Sequence, residues 1–449
     1  MRDFNLLKVK KTTCIFLSIL IYSYLYHGIN LLNYFGKLAM IKNILSAIIL
    51  VAFVFGKVQA QSLDVYINSA LKNSPLLYDY NNQMLTGRLD SLLLLATFKP
   101  QINQVSQVLY PPSGSGWGFD EAITNGGNYS AVVNVTQSLF NKKHINGQLQ
   151  SIDLLNQTLK NNAKITVIDL KKSITAQYLT AYTDFTQYQF NQTVLERLSN
   201  ESKTVKILAD KGIYLMTDYL NLQVLTTAQK IAISQSFIQL KNDVAVLNFI
   251  CGVSEYPEVS LVKPEIIVLN SLNAESSPLF AQFRIDSLKN LNSRLMVDLN
   301  YRPRISAFAD AGFNSIAPEN IPHNFGGSVG VNFSIPIYDG KQRKLQYDKI
   351  NLAENTRIYY KKYYSSQYKL QFDQLTSQLK LTENLIGEIK DQLAEQERLI
   401  DLYRIEIEKG LVRFLDYLTV LNNYTATKNT FLVAEMNRLQ IINQLNYLK

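Results

Sequence analysis

The sequence predicts an α+β protein made from two copies of one structural unit, in which long helices outweigh short strands. Three observations lead to this prediction: a ten-residue phrase that occurs twice, pairs of strand-like segments with alternating polarity, and long helical segments with a heptad pattern. Strand pairs and long helical segments occur in both halves of the 449-residue chain.

The repeated phrase reads KGIYLMTDYL from Lys211 and KGLVRFLDYL from Lys409, so the two copies are 198 residues apart. Pro100 and Pro303 match at a similar distance of 203 residues. The change in distance falls between residues 111 and 325, where turn-forming residues are frequent and insertions are tolerated. One order of elements repeated at a nearly fixed distance indicates an internal duplication.

The duplication divides the chain into a leader (1–60), a first repeat (61–252), a linker segment (253–274) and a second repeat (275–449). Each repeat is predicted to contain a helix, two strands, a long helix, a glycine turn and a final helix. The predicted helices are 62–98, 142–210, 214–250, 275–300, 341–408 and 412–447, and the predicted strands are 100–110, 128–140, 303–314 and 326–338.

The predicted strands have one apolar face and one face of small or polar residues. The alternating apolar residues are Val133 and Val135 in the first repeat and Val329, Val331, Phe333 and Ile335 in the second. This period of two fits a soluble sheet with one wet face, which the alternation alone favours, and it also fits the strands of a transmembrane barrel. Four strands cannot close a membrane barrel, whose smallest forms have about eight, so a barrel would need strands from several copies of the chain.

The long helix of the second repeat carries a heptad pattern. Leu379, Ile386, Leu393, Ile400 and Ile407 follow one another at intervals of seven residues. Apolar residues at this spacing are typical of a coiled coil. The matching helix 142–210 would be about 100 Å long at 1.5 Å per residue, and the two shorter helices of the repeat would together cover a similar length. The chain is therefore expected to form a wall of long rods.

The repeated phrase lies where each long helix reverses direction. Gly212 and Gly410 suit the left-handed position that ends a helix, and Lys211 and Lys409 suit its negative dipole end. Asp218 and Asp416, six residues after each glycine, belong to the first turn of the returning helix, where an acid is also favoured. A helix-reversing turn explains these residues, and a docking site or constriction at the far end of the rod is compatible with it.

The first 60 residues are predicted to be targeting sequence. A short basic start, the apolar run ILSAIILVAFVFG and the small residues of VQA indicate a signal peptide that is cleaved before Gln61. Residues 1–39 are expected to be an upstream extension or part of a long leader, and their apolar run CIFLSILIYSYLY leaves a transmembrane helix as the alternative. This leader carries +6 of the total formal charge of +9, so the remaining chain, at about +3, gives no indication of nucleic-acid binding.

No catalytic, cofactor or metal site is predicted. The histidines are His27, His144 and His323, and none has the spacing of a metal-ligand motif. The sequence contains no phosphate-binding loop and no nucleophile motif. An enzyme is therefore the least favoured class of function.

In the duplicated order of its elements and the phrase G-x5-D in both copies, the chain resembles the TolC-like outer-membrane efflux protein family. The resemblance covers essentially all of 61–449. It implies a homotrimer with a 12-stranded outer-membrane β-barrel, four strands from each chain, continued by a periplasmic coiled-coil tunnel. It also implies a Gram-negative outer membrane with its lipid, a periplasmic adaptor protein, and an inner-membrane pump of the RND, ABC or MFS type.

The resemblance also assigns roles to the turn residues. Gly212, Gly410, Lys211 and Lys409 would form the periplasmic tips that contact the adaptor. Asp416, with Asp218 as its counterpart, would belong to the constricted aperture. TolC has a second aperture acid three residues later, and here that position is Thr419, so cation binding at the aperture is expected to be weaker.

The implied function is a passive export duct in a tripartite efflux or type I secretion system. A non-conducting periplasmic coiled-coil adaptor or stalk is the alternative, although the duplicated amphipathic strands argue against it. Nothing in the sequence indicates the cargo, the pump or the adaptor.

Overall fold

In the computed structural model the described residues are 62–120, 127–139, 141–254, 260–269 and 277–448, all within one compact unit, Ala60–Lys449. The predicted leader, 1–60, lies outside the described residues. The helices are α1 (Leu63–Asn73), α2 (Pro75–Thr97), α3 (Lys142–Asp210), α4 (Met216–Cys251), α5 (Pro278–Asn300), α6 (Gln342–Glu408) and α7 (Phe414–Asn446). The strands are β1 (Gln101–Leu109), β2 (Ser113–Gly114), β3 (Trp117–Gly118), β4 (Asn128–Leu139), β5 (Arg304–Ser315) and β6 (Phe325–Ser334).

The long strands form one antiparallel sheet in the order β1-β4-β5-β6, so the two repeats join where β4 pairs with β5. Residues directly opposite one another on adjacent strands share a face of the sheet. Val135 lies opposite Ala309, which in turn lies opposite Val329. Val133 lies opposite Ala311 in the same register. The predicted apolar residues of both repeats therefore lie on one face of the sheet, which is mainly apolar.

The opposite face of the sheet is polar. Asn134 lies opposite Asp310, which lies opposite Ser328, and the Ser328 hydroxyl donates to the Asp310 carboxylate at 2.6 Å. β2 and β3 form a separate small hairpin between β1 and β4, which the sequence did not predict.

Two predicted boundaries are wrong, and a proline explains each one. The predicted strand 326–338 ends at Ser334, because Pro336 has no N–H to donate and restricts the residue before it. Ile335, predicted as a barrel-strand residue, therefore lies just beyond β6. The predicted helix 62–98 is broken at Ser74. Pro75 starts α2 there, and the Ser74 hydroxyl caps the new helix by accepting from the Leu77 N–H at 3.4 Å.

Helix α3 has 69 residues, which gives it a length of about 100 Å. It packs against α2 and α4 of its own repeat and against α5 and α7 of the second, as the prediction of one long rod beside two shorter ones requires. No helix within the described ranges is long and apolar enough to cross a membrane.

The predicted heptad positions of α6 are confirmed as a buried stripe. Ile386, Leu393, Ile400 and Ile407 are buried in one apolar cluster with residues of α3, α4 and α7, and Leu379 is partly buried in a neighbouring cluster. The stripe thus holds the helices of the two repeats together along the half of the rod that lies away from the sheet.

The linker segment is bound to the helices by its backbone. The Tyr178 hydroxyl on α3 donates to the Val262 carbonyl at 2.7 Å, and the Asn446 amide donates to the Ile267 carbonyl at 2.7 Å. Because backbone groups need such partners when they leave regular structure, these two contacts fix the crossing between the repeats.

A pair of carboxyl groups lies between α3 and α4. Burial raises the pKa of Asp184 to about 7, and contact with the Asp243 carboxyl adds to the rise. Burial acts to raise the pKa of Asp243 as well, but hydrogen bonds from Asp184, Gln239 and Gln177 outweigh it and lower that pKa. Around neutral pH the pair therefore shares one proton.

We expect this pair to make the stability of the folded protein depend on pH. A carboxyl whose folded pKa is about 7 stabilises the fold below its ordinary pKa of about 4, and this contribution is lost as the pH rises through about 7. The melting temperature should therefore fall from about pH 4 to about pH 7. In the variant Asp184→Asn the fall should be smaller, as measured by thermal unfolding in detergent. Asp153→Asn, which removes an exposed carboxylate of the same helix, is the matched control and should behave like the wild type. A full pH dependence in Asp184→Asn would contradict the assignment.

Candidate functional site at the helical turns

The two glycine turns have the same hydrogen-bond pattern. After α3, the Gly212 N–H donates to the Ala209 carbonyl and the Ile213 N–H to the Leu208 carbonyl, both at 2.9 Å. After α6, the N–H groups of Gly410 and Leu411 donate to the equivalent carbonyls at 2.9 and 3.0 Å. This pair of bonds defines the Schellman motif, in which the last helical carbonyls are satisfied by a residue in the left-handed conformation.

The glycines occupy that left-handed position, as the sequence predicts, with φ of 75° at Gly212 and 69° at Gly410. Lys211 and Lys409 are the capping residues that precede them, at the negative ends of the two helix dipoles. Each copy of the repeated phrase therefore ends a long helix with the same capping structure.

The two turns contact each other. The Tyr214 hydroxyl, from the first turn, donates to the Val412 carbonyl of the second at 2.9 Å, and its ring packs edge-on against Phe414 with centroids 6.3 Å apart. A Cβ on Gly410 would lie 2.7 Å from Cγ2 of Ile213. The tip of each chain is thus one unit made from both repeats.

The two predicted aperture acids have different partners. The Asp218 carboxylate accepts from the Leu215 N–H at 3.2 Å and caps the start of α4. The Asp416 carboxylate forms an ion pair with Arg413 at 3.1 Å within the first turn of α7. The Arg413 side chain is 85% exposed and that of Asp416 is 39% exposed, so the pair lies at the surface of the tip. The positive charge of Arg413 and the negative charge of Asp416 therefore largely cancel for a solute that does not contact the pair directly.

Thr419 does not replace the missing second acid. Its hydroxyl donates to the Leu415 carbonyl of its own helix at 2.9 Å. The sequence alone assigned no role to Arg413 or to Tyr214. The signal for Arg413 was its spacing of three residues before Asp416, which brings two side chains together on a helix.

Behind the turns, α3, α6 and α7 enclose a charged pocket of about 230 Å³. Glu201 lies in it and is only 8% exposed. Burial raises the pKa of Glu201, while the positive charges of Arg404 and Arg197 oppose the rise. Burial also raises the pKa of Tyr417 on the facing helix, and the charge of Glu201 adds to that rise. Charged groups therefore lie between the helices immediately behind the tip.

The surface of the tip also exposes apolar side chains, beside the two lysines and the Arg413–Asp416 pair. The exposed apolar side chains are Ile213, Leu215, Met216 and Leu220 from the first repeat and Leu411 and Leu415 from the second. Several exposed apolar side chains at the end of a rod make this a candidate surface for contact with another protein. Across the described residues, no group of three or more His, Cys, Asp or Glu side chains lies close enough to hold a metal ion.

No protein-family model and no curated protein sequence matches the chain. Solved structures do match it. CusC, whose structures describe transmembrane channel formation, is similar at 14% identity with a TM-score of 0.67, over 87% of this chain and 92% of that one. The open outer-membrane channel MtrE of Neisseria gonorrhoeae is similar at 12% identity with a TM-score of 0.68, over 86% and 88%. The outer-membrane protein VceC of Vibrio cholerae is similar at 11% identity with a TM-score of 0.66, over 86% and 95%.

At these identities the matches establish the fold. Long helices and four antiparallel strands in one chain, in the order found here, define the architecture of the TolC-like outer-membrane channels, and this chain has that architecture over most of its length. The predicted fold is therefore confirmed.

We expect the two glycines to differ when each is replaced by alanine. Both substitutions place a side chain in the left-handed region, which costs about 1–2 kcal/mol. At Gly212 the added methyl meets nothing within 4 Å, whereas at Gly410 it collides with Ile213. Gly410→Ala should therefore lower the free energy of unfolding more than Gly212→Ala, as measured by denaturant unfolding.

A double-mutant cycle isolates the collision. When Gly410→Ala is introduced into the variant Ile213→Ala, the added methyl has no Cγ2 to collide with. Its cost in free energy of unfolding should then fall to the backbone strain alone, which is the cost measured for Gly212→Ala in the wild type. Equal effects of the two single substitutions, with no coupling to Ile213, would contradict the packing of the two turns.

Proposed function

We propose that the chain is the outer-membrane channel of a tripartite export system and forms a homotrimeric duct without chemistry of its own. The observation that carries this proposal is the sheet. It has one mainly apolar face, and β1 and β6 lie at its two edges. Edge strands present unpaired backbone groups that require a partner, and a membrane barrel tolerates no open edge.

Three copies of the chain resolve this requirement. Pairing β6 of one copy with β1 of the next would close a barrel of twelve strands, with the apolar face toward lipid and the polar face toward the lumen. The helices would then continue the barrel as a tunnel into the periplasm. Exposed apolar side chains on α2, such as Leu85, Leu89 and Leu92, support the same arrangement, because neighbouring copies would cover them.

The tip supports a role for partner proteins. Its exposed apolar side chains, together with Lys211 and Lys409, offer a surface suited to a periplasmic adaptor, and an inner-membrane pump would supply the energy. This assigns the chain to the outer membrane of a Gram-negative bacterium. The type of pump and the cargo are left open by the chemistry of the tip.

The experiment that tests the proposal combines native mass with planar-bilayer conductance of the detergent-extracted protein. A trimer that gives steady single-channel currents is the expected result. A trimer without conductance, or a monomer, would overturn the duct. The alternative function, a non-conducting periplasmic stalk, would then be favoured, although it does not explain the apolar face of the sheet.

The ion pair at the tip gives a second test within this proposal. Because Arg413 pairs with Asp416 at 3.1 Å, the aperture ring should bind divalent cations weakly. Arg413→Gln should free the carboxylate and increase block of the channel by periplasmic Mg²⁺. Adding Asp416→Asn to that variant should remove the increase. The measurement is single-channel current against Mg²⁺ concentration. A block that does not change in Arg413→Gln would place Asp416 outside the conduction path.

A further inference from the structure

The described chain contains a second and larger cavity, at the opposite end of the helices from the tip. It has a volume of about 740 Å³ and lies where α2, α3 and α5 meet β4 and β5. Four basic side chains line it, and no carboxylate does. These residues are Lys142, Lys143, Arg302 and Arg304.

The four cations have no acidic partner. All four residues are exposed, and none of the ion pairs formed between described residues involves them. Asp298, an acid that precedes Arg302 by four positions, is already bonded to Arg343 at 2.7 Å. Like charges held together without counter-charges raise the local potential and attract anions.

The strand register shows which side of the sheet carries the cavity. Arg304 lies opposite Ser334, and Ser138, which also lines the cavity, lies opposite Ser306. Because side chains alternate along a strand, Arg304 and Ser138 share the polar face with Asn134 and Asp310. Asp310 itself is six residues from Arg304, which places it about 20 Å away along the strand.

The remaining wall of the cavity is suited to an anion. It includes the first turn of α3, whose positive dipole end favours negative charge. Burial, and then the charge of Arg304, lower the pKa of His144. At neutral pH the positive charge of the cavity therefore comes from the lysines and arginines.

We infer that this cavity is a binding site for anionic solutes in the wall of the duct, and that it makes the channel selective for anions. Carboxylate, sulfate and phosphate groups are the chemistry that two arginines and two lysines recognise. The inference rests on the proposed duct, because the polar face becomes a lumen only in a closed barrel. Three chains would bring twelve such cations to one level of the wall.

The test is the reversal potential of single channels in a KCl gradient. Bilayers of phosphatidylcholine alone are used, so that no anionic headgroup can occupy the cavity. The wild type should favour chloride over potassium. In Lys142→Gln combined with Arg304→Gln, which removes six charges from the trimer, the chloride preference should fall roughly two- to fivefold at low salt. Block by inorganic pyrophosphate should weaken in the same variant.

Lys72→Gln combined with Lys263→Gln is the matched control, because it removes as many charges from exposed residues that do not line the cavity. A shift of equal size in this control would overturn the inference, as it would show that total charge sets the selectivity. Cation selectivity of the wild type, or an unchanged chloride preference in the cavity variant, would also overturn it. Absence of any conductance would instead contradict the duct itself, so the two failures are distinguishable.

Discussion

The antiparallel pairing of β4 with β5 is the contact on which the rest of the structure depends. It places the two repeats side by side with their strands alternating in direction. As a result β4 and β6 run in the same direction, so α3, which follows β4, and α6, which follows β6, leave the sheet at the same end of the strands. Their lengths of 69 and 67 residues differ by only about 3 Å at 1.5 Å per residue. The two glycine turns therefore reach the same level, which is the condition for the bond between Tyr214 and Val412.

Duplication supplies two equal rods, but the contacts between them require the copies to differ. Tyr214 and Val412 occupy equivalent positions in the two phrases, 198 residues apart. The Tyr214 side chain donates its hydroxyl to the backbone carbonyl of Val412, whose own side chain has no polar group. Asp218 and Asp416 are likewise a matched pair, yet one caps a backbone N–H and the other binds an arginine. Identical copies would face each other with identical groups, so the differences between the copies are what make the tip a single unit.

This distinction explains how much could be predicted from the sequence. Local physics determined the left-handed glycines, the apolar face of the strands and the buried heptad stripe, because each depends on residues close together in the chain. The breaks at Pro75 and Pro336 were also local and could have been predicted from the missing N–H alone. The contact of Ile213 with Gly410 could not, because it joins residues that are nearly 200 positions apart and depends on the register of the sheet at the other end of the rods. The cavity beside Arg304 depends on the same register.

The distribution of charge along the rod has a consequence for transport. At the tip Asp416 is paired with Arg413, and Thr419 adds no charge, so the predicted aperture residues contribute little net charge to the proposed tunnel. At the sheet end, four cations of each chain line one cavity without acidic partners. A field acts on a solute over about one Debye length, roughly 8–10 Å at moderate salt, and the two ends are separated by about ten times that distance. The two ends therefore act independently, and we expect the unpaired cations at the sheet, rather than the paired Asp416 and Arg413, to decide which sign of charge the duct favours.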